Sequence, residues 1–378
     1  MRPKVLHVIE SFNGQATEQW LFRMLSCLNG VEHKVDWGFY AILGHKGRLD
    51  SAIIDRGGKI VYSPVAMANK LQFLSALRCS IIEGGYDILH CHHDVVSAVY
   101  LLAAAGLPIK KRIVHVHNTS LGLPTRSRLK NTLLREPMRQ MCLRWADNIV
   151  GVSDAALDAF LQGGRRKLRR DMVIHCGIDM APFRRKPQNR AEFLKSLGLP
   201  ADARVLLFVG RMIEYKNPCF VIEVLAHIAK QNSTVCAVFA GAGPLEDAVR
   251  RQARQHSLDD RVRVLGWQED IAAHMQACDM LIWPGLEEPK EGLGLGVVEA
   301  QAAGLPVLMS MSVPKDAIVV PELVSVVPLA AGARAWAEKA IFILGKENTG
   351  RDASFAKIES SSFSNENSTA NIMALYES

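Results

Sequence analysis

The sequence predicts an α/β protein made of two successive doubly wound domains with parallel sheets. Three observations carry this expectation. Short apolar runs alternate with longer segments of helical period. The runs are apolar on both faces, as strands covered by helices on each side must be. A stretch rich in proline and charge then divides the runs into two series. The length agrees, because 378 residues exceed one ordinary α/β core and suit two.

The first series opens at residues 5–9 and continues at 35–41, 88–91, 113–117, 149–152 and 172–175. Each run is too short for a helix and rich in the β-branched and aromatic side chains that favour strands. Residues 179–187, DMAPFRRKP, form the divider. The second series occupies 205–209, 235–240, 262–265, 280–283, 307–310 and 324–327. Successive parallel strands need crossover helices, and ligands are then expected at the carboxyl ends of the strands. The expected domains are residues 1–178 and 185–350. After residue 351 the chain is serine-rich and polar until a last short pattern at 370–376, so this tail reads either as disorder or as a docking helix.

Composition excludes several classes. Apolar residues make up 49% of the chain and charged residues 22%, as in a packed globular protein. The eight cysteines include no C-x-x-C pair, which supports neither a zinc site nor a disulfide framework and suits a reducing cytoplasm. No signal peptide precedes the first strand pattern, and the longest apolar stretch, 98–109, is broken by Gly106 and Pro108. A soluble, cytoplasmic protein is expected.

The net charge of +7 is concentrated between Lys110 and Arg170, where Arg126, Arg128, Lys130, Arg135, Arg139, Arg144, Arg165, Arg166 and Lys167 also lie. A basic field of this kind implies an anionic partner, such as a phosphorylated substrate or the acidic face of a membrane. The other reading is a solvated basic helix face. Nucleic acid is disfavoured, because no interleaved aromatics or reader motif accompany the charges. His90 and His92 alternate onto one strand face near His93, His115 and His117, yet no Cys, Asp or Glu completes a metal shell. No metal is expected.

Residues 291–306 read EGLGLGVVEAQAAGLP. A glycine-rich loop follows a strand and opens a helix that Gly304 and Pro306 close. Such a helix N-terminus offers free N–H groups to an anion, and the glycines let the backbone approach a ligand. Glu291 and Glu299 flank the anion position. Carboxylates do not bind phosphate, so they suit sugar hydroxyls, or else are ordinary helix-end charges complementing the dipole.

This stretch resembles the signature of retaining glycosyltransferases of family 4, E-x(7)-E followed by A-x-A-x-G-x-P. The resemblance runs along nearly the whole chain: FVGR at 208–211 with Lys216-Asn217, AGAGPL at 240–245, Leu265-Gly266 with Asp270-Ile271, DILHCH at 87–92, and GID at 177–179. RIVHVHNT at 112–119 is most similar to members that build exopolysaccharide or capsule. The resemblance implies the GT-B fold, two Rossmann-like domains facing across a cleft. The first would bind the acceptor and the second the nucleotide sugar, with residues 351–378 crossing back to the first.

It also implies roles. Arg211 and Lys216 would neutralise the donor diphosphate, without a metal or other cofactor. Glu299 would hold the ribose, while Glu291 with the amides of Gly292, Leu293 and Gly294 would hold the transferred sugar. Gly14 would face the diphosphate and His117 the sugar, so that Glu291, His117, Arg211 and Lys216 are the candidate catalytic residues. Two departures are visible: residues 13–18, NGQATE, carry one glycine where many members have two, and His175-Cys176 replaces Pro-Asn before the hinge glycine. The implied activity is retaining transfer of a sugar from a UDP- or GDP-sugar to a glycan or lipid-linked acceptor, with peripheral contact to an anionic membrane. A sugar-nucleotide 2-epimerase and a non-catalytic sugar-nucleotide-binding module are the alternatives. Sugar, base, acceptor, linkage and oligomeric state are not legible.

Overall fold

A computed structural model describes residues 2–14, 16–28, 35–121, 128–185, 189–346 and 350–378. Gln15, Arg126, Lys186 and Pro187 lie outside these residues, as do the side chains of Arg128 and Lys130. The chain divides into two units, Met1–Ile178 with Asn365–Ser378, and Asp179–Ser364.

The first unit is built on seven strands: β1 (Lys4–Ile9), β2 (Asp36–Ala41), β3 (Lys59–Tyr62), β4 (Ile88–Cys91), β5 (Lys111–Val116), β6 (Asn148–Gly151) and β7 (Asp171–Val173). They pair in parallel in the order β3-β2-β1-β4-β5-β6-β7. β4 and β6 are buried along their whole length because helices cover both faces. β3 has no counterpart among the sequence expectations. It is a four-residue edge strand whose apolar run, Ile60-Val61-Tyr62, is short and not fully buried.

The second unit holds six parallel strands: β8 (Arg204–Val209), β9 (Val235–Ala240), β10 (Val262–Gly266), β11 (Met280–Trp283), β12 (Val307–Met309) and β13 (Val324–Val326). Their order is β10-β9-β8-β11-β12-β13. Leu206, Phe208, Phe239, Ile282 and Leu308 meet Val221, Leu225 and Trp336 of the flanking helices in one apolar core.

In both sheets the strand order reverses beside the first strand, between β1 and β4 and between β8 and β11. Chains leaving neighbouring strands there turn to opposite faces, which opens a crevice at the carboxyl ends.

The tail is helical. Arg351–Ser360 packs on the helix Leu295–Ala302 within the second unit. Asn365–Glu377 packs on the helix Ala16–Leu28 within the first. The Ser368 hydroxyl anchors it, accepting from Trp20 Nε1 at 2.9 Å and from the Gly177 amide at 3.1 Å, and donating to the His175 carbonyl at 2.7 Å. A polar-looking segment is therefore held by buried hydrogen bonds more than by an apolar stripe, which is why its sequence pattern is weak. Among the described residues no helix is long and apolar enough to cross a membrane.

Candidate functional site

The crevice of the second unit forms where β8 and β11 end. Beyond β8, the chain is zipped to its neighbours: the Gly210 amide donates to Ala240 O at 3.0 Å, Met212 to Ala242 O at 2.9 Å, and Gly241 to Gly266 O at 2.7 Å. Gly241 has φ 146°, and a Cβ there would stand 1.9 Å from the Gly210 carbonyl oxygen. Only glycine permits this approach. The AGAGPL turn thus fixes the backbone from which Arg211 and Lys216 depart.

Lys216 ends the short 3-10 turn Glu214–Lys216, and its Nζ lies 2.6 Å from Glu291 Oε1. Both side chains are nearly buried, at 13% and 9% exposure. The ammonium also sits 4.4 Å from the centre of the Trp283 ring, the last residue of β11, and 5.4 Å from that of Tyr215. Burying a cation this far is tolerable because a carboxylate and two ring faces replace its water. Arg211 is exposed, with its guanidinium 3.1 Å from the Tyr215 hydroxyl.

The loop carrying Glu291 is pinned at two points. The Leu286 amide donates to Tyr215 O at 2.7 Å and the Glu291 amide to Ser312 O at 2.8 Å. Glu287, four residues earlier, accepts from the Leu329 amide at 3.0 Å. Of these two acids, Glu291 is therefore the one that meets Lys216. Gly294 caps the helix Leu295–Ala302 with φ 82°, and a Cβ there would come 2.7 Å from Val313 Cγ1. Leu293 is buried, Gly292 partly so, and Glu299 is half-buried just over one turn into the helix. A fixed cation, a fixed carboxylate and a helix N-terminus converge at one strand-order reversal. Tyr215 and Trp283, which flank the cation, carry no signal in the sequence beyond their adjacency to Lys216 and to the end of a strand.

The crevice of the first unit lies beyond β1 and β4. Gly14 adopts φ 93°, and both its backbone groups are engaged: its amide donates to Glu18 Oε2 at 2.7 Å and its carbonyl accepts from Gln19 Nε2 at 2.8 Å. The Gly14 amide is thus directed to a carboxylate in the first turn of the helix that follows.

His117 follows β5. Its backbone amide donates to Asp94 Oδ1 at 2.7 Å, and its Nδ1 lies 3.3 Å from Thr17 Oγ1. Behind it runs an unbroken hydrogen-bonded chain. His117 Nε2 meets His92 Nδ1 at 3.0 Å, and His92 Nε2 meets His7 Nδ1 at 3.0 Å. His7 Nε2 meets the Tyr376 hydroxyl at 3.3 Å, which meets His90 Nδ1 at 2.7 Å. His90 Nε2 then meets His115 Nδ1 at 3.1 Å. The Ile174 backbone hydrogen-bonds to His115. The strand register places His7 beside His90, so these rings share one sheet face.

Burial lowers the pKa of every ring in the chain, to about 3 for His7 and His117 and well below the ordinary histidine range for His90, His92 and His115. For His115 the Ile174 backbone opposes the shift. Two triads, His7–His90–His92 and His92–His115–His117, have ring nitrogens within 4.8 Å of one another. Neither contains a carboxylate to balance a buried dication, and most of their nitrogens are already engaged with one another, with Tyr376 or with Thr17, so the donor set fits a hydrogen-bond chain better than a metal.

Part of the basic segment is paired among the described residues. Lys110 pairs with Asp87, Arg112 with Asp147, Arg139 with Glu136, Arg166 with Asp154 and Asp158, and Arg170 with Asp171. Arg144, Arg165 and Lys167 are exposed and, with Arg170, line a cavity of about 560 Å³.

Residues 189–353 match the family described as glycosyl transferases group 1, and residues 18–181 match glycosyltransferase family 4. The chain is 30% identical over 339 residues to EpsF of Bacillus subtilis (strain 168), a protein named provisionally as a glycosyltransferase, covering 89% of this chain and 86% of that one. It is 31% identical over 233 residues to the D-inositol 3-phosphate glycosyltransferase of Mycobacterium bovis (strain BCG / Pasteur 1173P2), covering 60% of this chain and 47% of that one. The solved structure of Anabaena HepE in complex with UDP superposes over all of both chains with a TM-score of 0.78 at 18% identity.

Proposed function

The chain belongs to the group 1, family 4 glycosyltransferases and has their GT-B fold, and from that premise we propose that it transfers a sugar from a UDP- or GDP-sugar to a glycan or lipid-linked acceptor, with retention of anomeric configuration, in cell-surface polysaccharide synthesis. The observation that carries this reading is the Lys216–Glu291 pair at the strand-order reversal of the second unit. A fixed cation beside a helix N-terminus suits a diphosphate, and a fixed carboxylate beside it suits sugar hydroxyls. HepE structures hold UDP and, in another crystal, UDP-glucose, which supports a nucleotide-sugar donor here.

In this reading Arg211 and Lys216 would stabilise the departing diphosphate, a contribution of about 3 to 4 kcal/mol for a well-placed donor. Glu291 would orient the transferred sugar while keeping Lys216 in place. Glu299 would hold the ribose. No metal is needed, because two side-chain cations meet the charge that forms. A phosphate oxygen of the leaving group would take the acceptor's proton on the same face, so that the new bond forms where the old one breaks.

Two measurements test the proposal. A screen of nucleotide sugars by thermal unfolding should single out one donor, since a ligand at 100 times its Kd stabilises by about 2.7 kcal/mol. No stabilisation by any UDP- or GDP-sugar would contradict the donor assignment. Peripheral membrane contact through Arg144, Arg165 and Lys167 is read by liposome flotation. Binding to anionic but not neutral vesicles, weakened by salt, is expected. Equal recovery with both lipids would remove it.

A further inference from the structure

We propose that Trp283 is a positioning residue for the transfer reaction: its indole face holds the Lys216 ammonium at the anion position while Glu291 turns to the sugar. The role in diphosphate binding rests on the donor reading above; the hold on Lys216 does not.

Trp283 ends β11, which pairs with β8 on one side and β12 on the other. Its register partner is Met309, and its carbonyl accepts from the Ser310 amide at 3.0 Å. The ring therefore departs from a backbone fixed inside the sheet. It is 5% exposed, and Lys216 Nζ stands 4.4 Å from its centre. The Tyr215 ring is farther, at 5.4 Å, and its hydroxyl is engaged with Arg211. Of the two rings Trp283 is the nearer and the better fixed. A tryptophan face attracts an ammonium more strongly than the other side-chain rings do, and most strongly where water is excluded.

Two local costs accompany the indole. Its Nε1 is buried without a hydrogen-bond partner among the described residues, and a buried donor left unmade is destabilising. The second cost is Gly296, the second residue of the helix Leu295–Ala302, where glycine is a poor helix former. A Cβ at this position would stand 2.6 Å from Trp283 Cζ3 and 3.0 Å from Cη2. The glycine is thus the space that the six-membered ring occupies. Were Trp283 only a core filler, leucine or phenylalanine there, with alanine at position 296, would bury apolar surface without either cost. Local rules broken together at one place mark a functional position. What the indole supplies beyond those side chains is a broad, electron-rich face against a cation.

That face is needed because Glu291 has two tasks. It holds Lys216 at 2.6 Å, and in the transfer reading it also accepts from the sugar. A carboxylate that accepts from sugar hydroxyls shares its lone pairs between them and the ammonium. The ring has no lone pair to offer the sugar, so its part of the hold persists. Because it packs on Gly296, it also ties the ammonium to the first turn of the helix whose free N–H groups suit the same anion.

The test begins without ligand. Limited acetylation with acetic anhydride, read by mass spectrometry, measures how freely Lys216 reacts relative to the other lysines. Glu291→Gln supplies the state in which no carboxylate charge holds the cation. In that background Trp283→Leu should raise Lys216 acetylation at least about 3-fold, and Trp283→Phe should raise it less. Equal acetylation with and without Trp283→Leu overturns the hold, whether or not the protein binds a nucleotide. Calorimetric titration with UDP and with GDP reads the role in binding. Trp283→Leu should weaken the preferred diphosphate about 10-fold, and should weaken it no further in a Lys216→Met background. No loss, or an equal loss in both backgrounds, overturns the positioning role, since a general disturbance of the site would not depend on Lys216. Gly296→Ala, which displaces the ring without removing it, should weaken binding in the same direction. Trp283→Phe in that background should restore affinity to within about 3-fold of wild type, because the smaller ring frees the space the Cβ needs. These two variants carry the test if Trp283→Leu does not fold, and failure of the restoration overturns the fit of the ring against Gly296. A wild type that binds neither UDP nor GDP refutes the donor reading, and with it the role in binding, while the acetylation result still decides the hold on Lys216.

Discussion

Acidification should unfold the first unit well before ordinary carboxylate chemistry would. In the unfolded chain each histidine protonates near pH 6.5. In the folded unit burial holds His7 and His117 down to about 3 and His93 to about 4. A folded pKa below the unfolded one means that the unfolded state binds more protons between those values. The stability they support is complete above pH 6.5 and falls as pH drops toward 3–4. One pH unit below 6.5, each ring costs about 1.4 kcal/mol, so these three remove about 4 kcal/mol at pH 5.5. That is an upper figure, because His93 and His117 keep some solvent contact. Asp94 opposes the trend, since burial raises its pKa to about 6 and the folded state then gains by protonating it, by about 1 kcal/mol at pH 5.5. His90, His92 and His115 add to the loss in the same direction. Against a domain stability of about 5–15 kcal/mol this is decisive. Calorimetric unfolding in buffers of different ionisation enthalpy measures the protons directly. Net uptake on unfolding at pH 5.5, with a transition for the first unit that moves down steeply from pH 7.5, is expected. A pH-independent transition, or net proton release, would refute the neutral-histidine account.

Lys216→Met should abolish most turnover and also lower the stability of the second unit by up to about 3 kcal/mol, because it leaves Glu291 nearly buried without its cation. Pairing it with Glu291→Leu should restore the melting temperature but not the activity; loss of activity without any stability change in the single variant would argue against the pair as drawn. Ser368→Ala should cost about 2 kcal/mol and expose the helix Asn365–Glu377 to limited proteolysis, since three buried groups lose their partner together. A wild-type digestion pattern would contradict that anchoring. Gly241→Ala should prevent accumulation of folded protein, and wild-type expression and melting would show that the close approach to Gly210 can relax.

The central strands were legible because burial on both faces writes itself as continuous apolar runs, as in residues 235–240 and 280–283. Lys59–Tyr62 was missed although it carries the short apolar run Ile60-Val61-Tyr62, because a solvent-facing edge strand buries none of it fully and needs no longer run. The glycine-rich stretch at 291–306 marked the loop and helix correctly, since capping and close approach are local requirements. What it did not contain was the contact between Lys216 and Glu291, 75 residues apart, which only the adjacency of β8 and β11 produces. The histidine alternation at His90 and His92 showed a shared face. Tyr376, which joins the two halves of that cluster, lies 286 residues from His90 and had no local signal at all. Gly14 was expected to face the diphosphate; its amide donates to Glu18 in the first turn of the following helix, a contact that residue type alone does not specify.

Sugar transfer supported by the Lys216–Glu291 pair is tested by acceptor-dependent release of nucleoside diphosphate. With the donor that stabilises the protein, release should require added acceptor, and NMR of the glycoside should show the donor's anomeric configuration. The rate should fall at least about 100-fold in Lys216→Met when compared at a temperature where the variant is folded. Release without acceptor, an inverted product, or an undiminished rate in folded Lys216→Met would contradict the account.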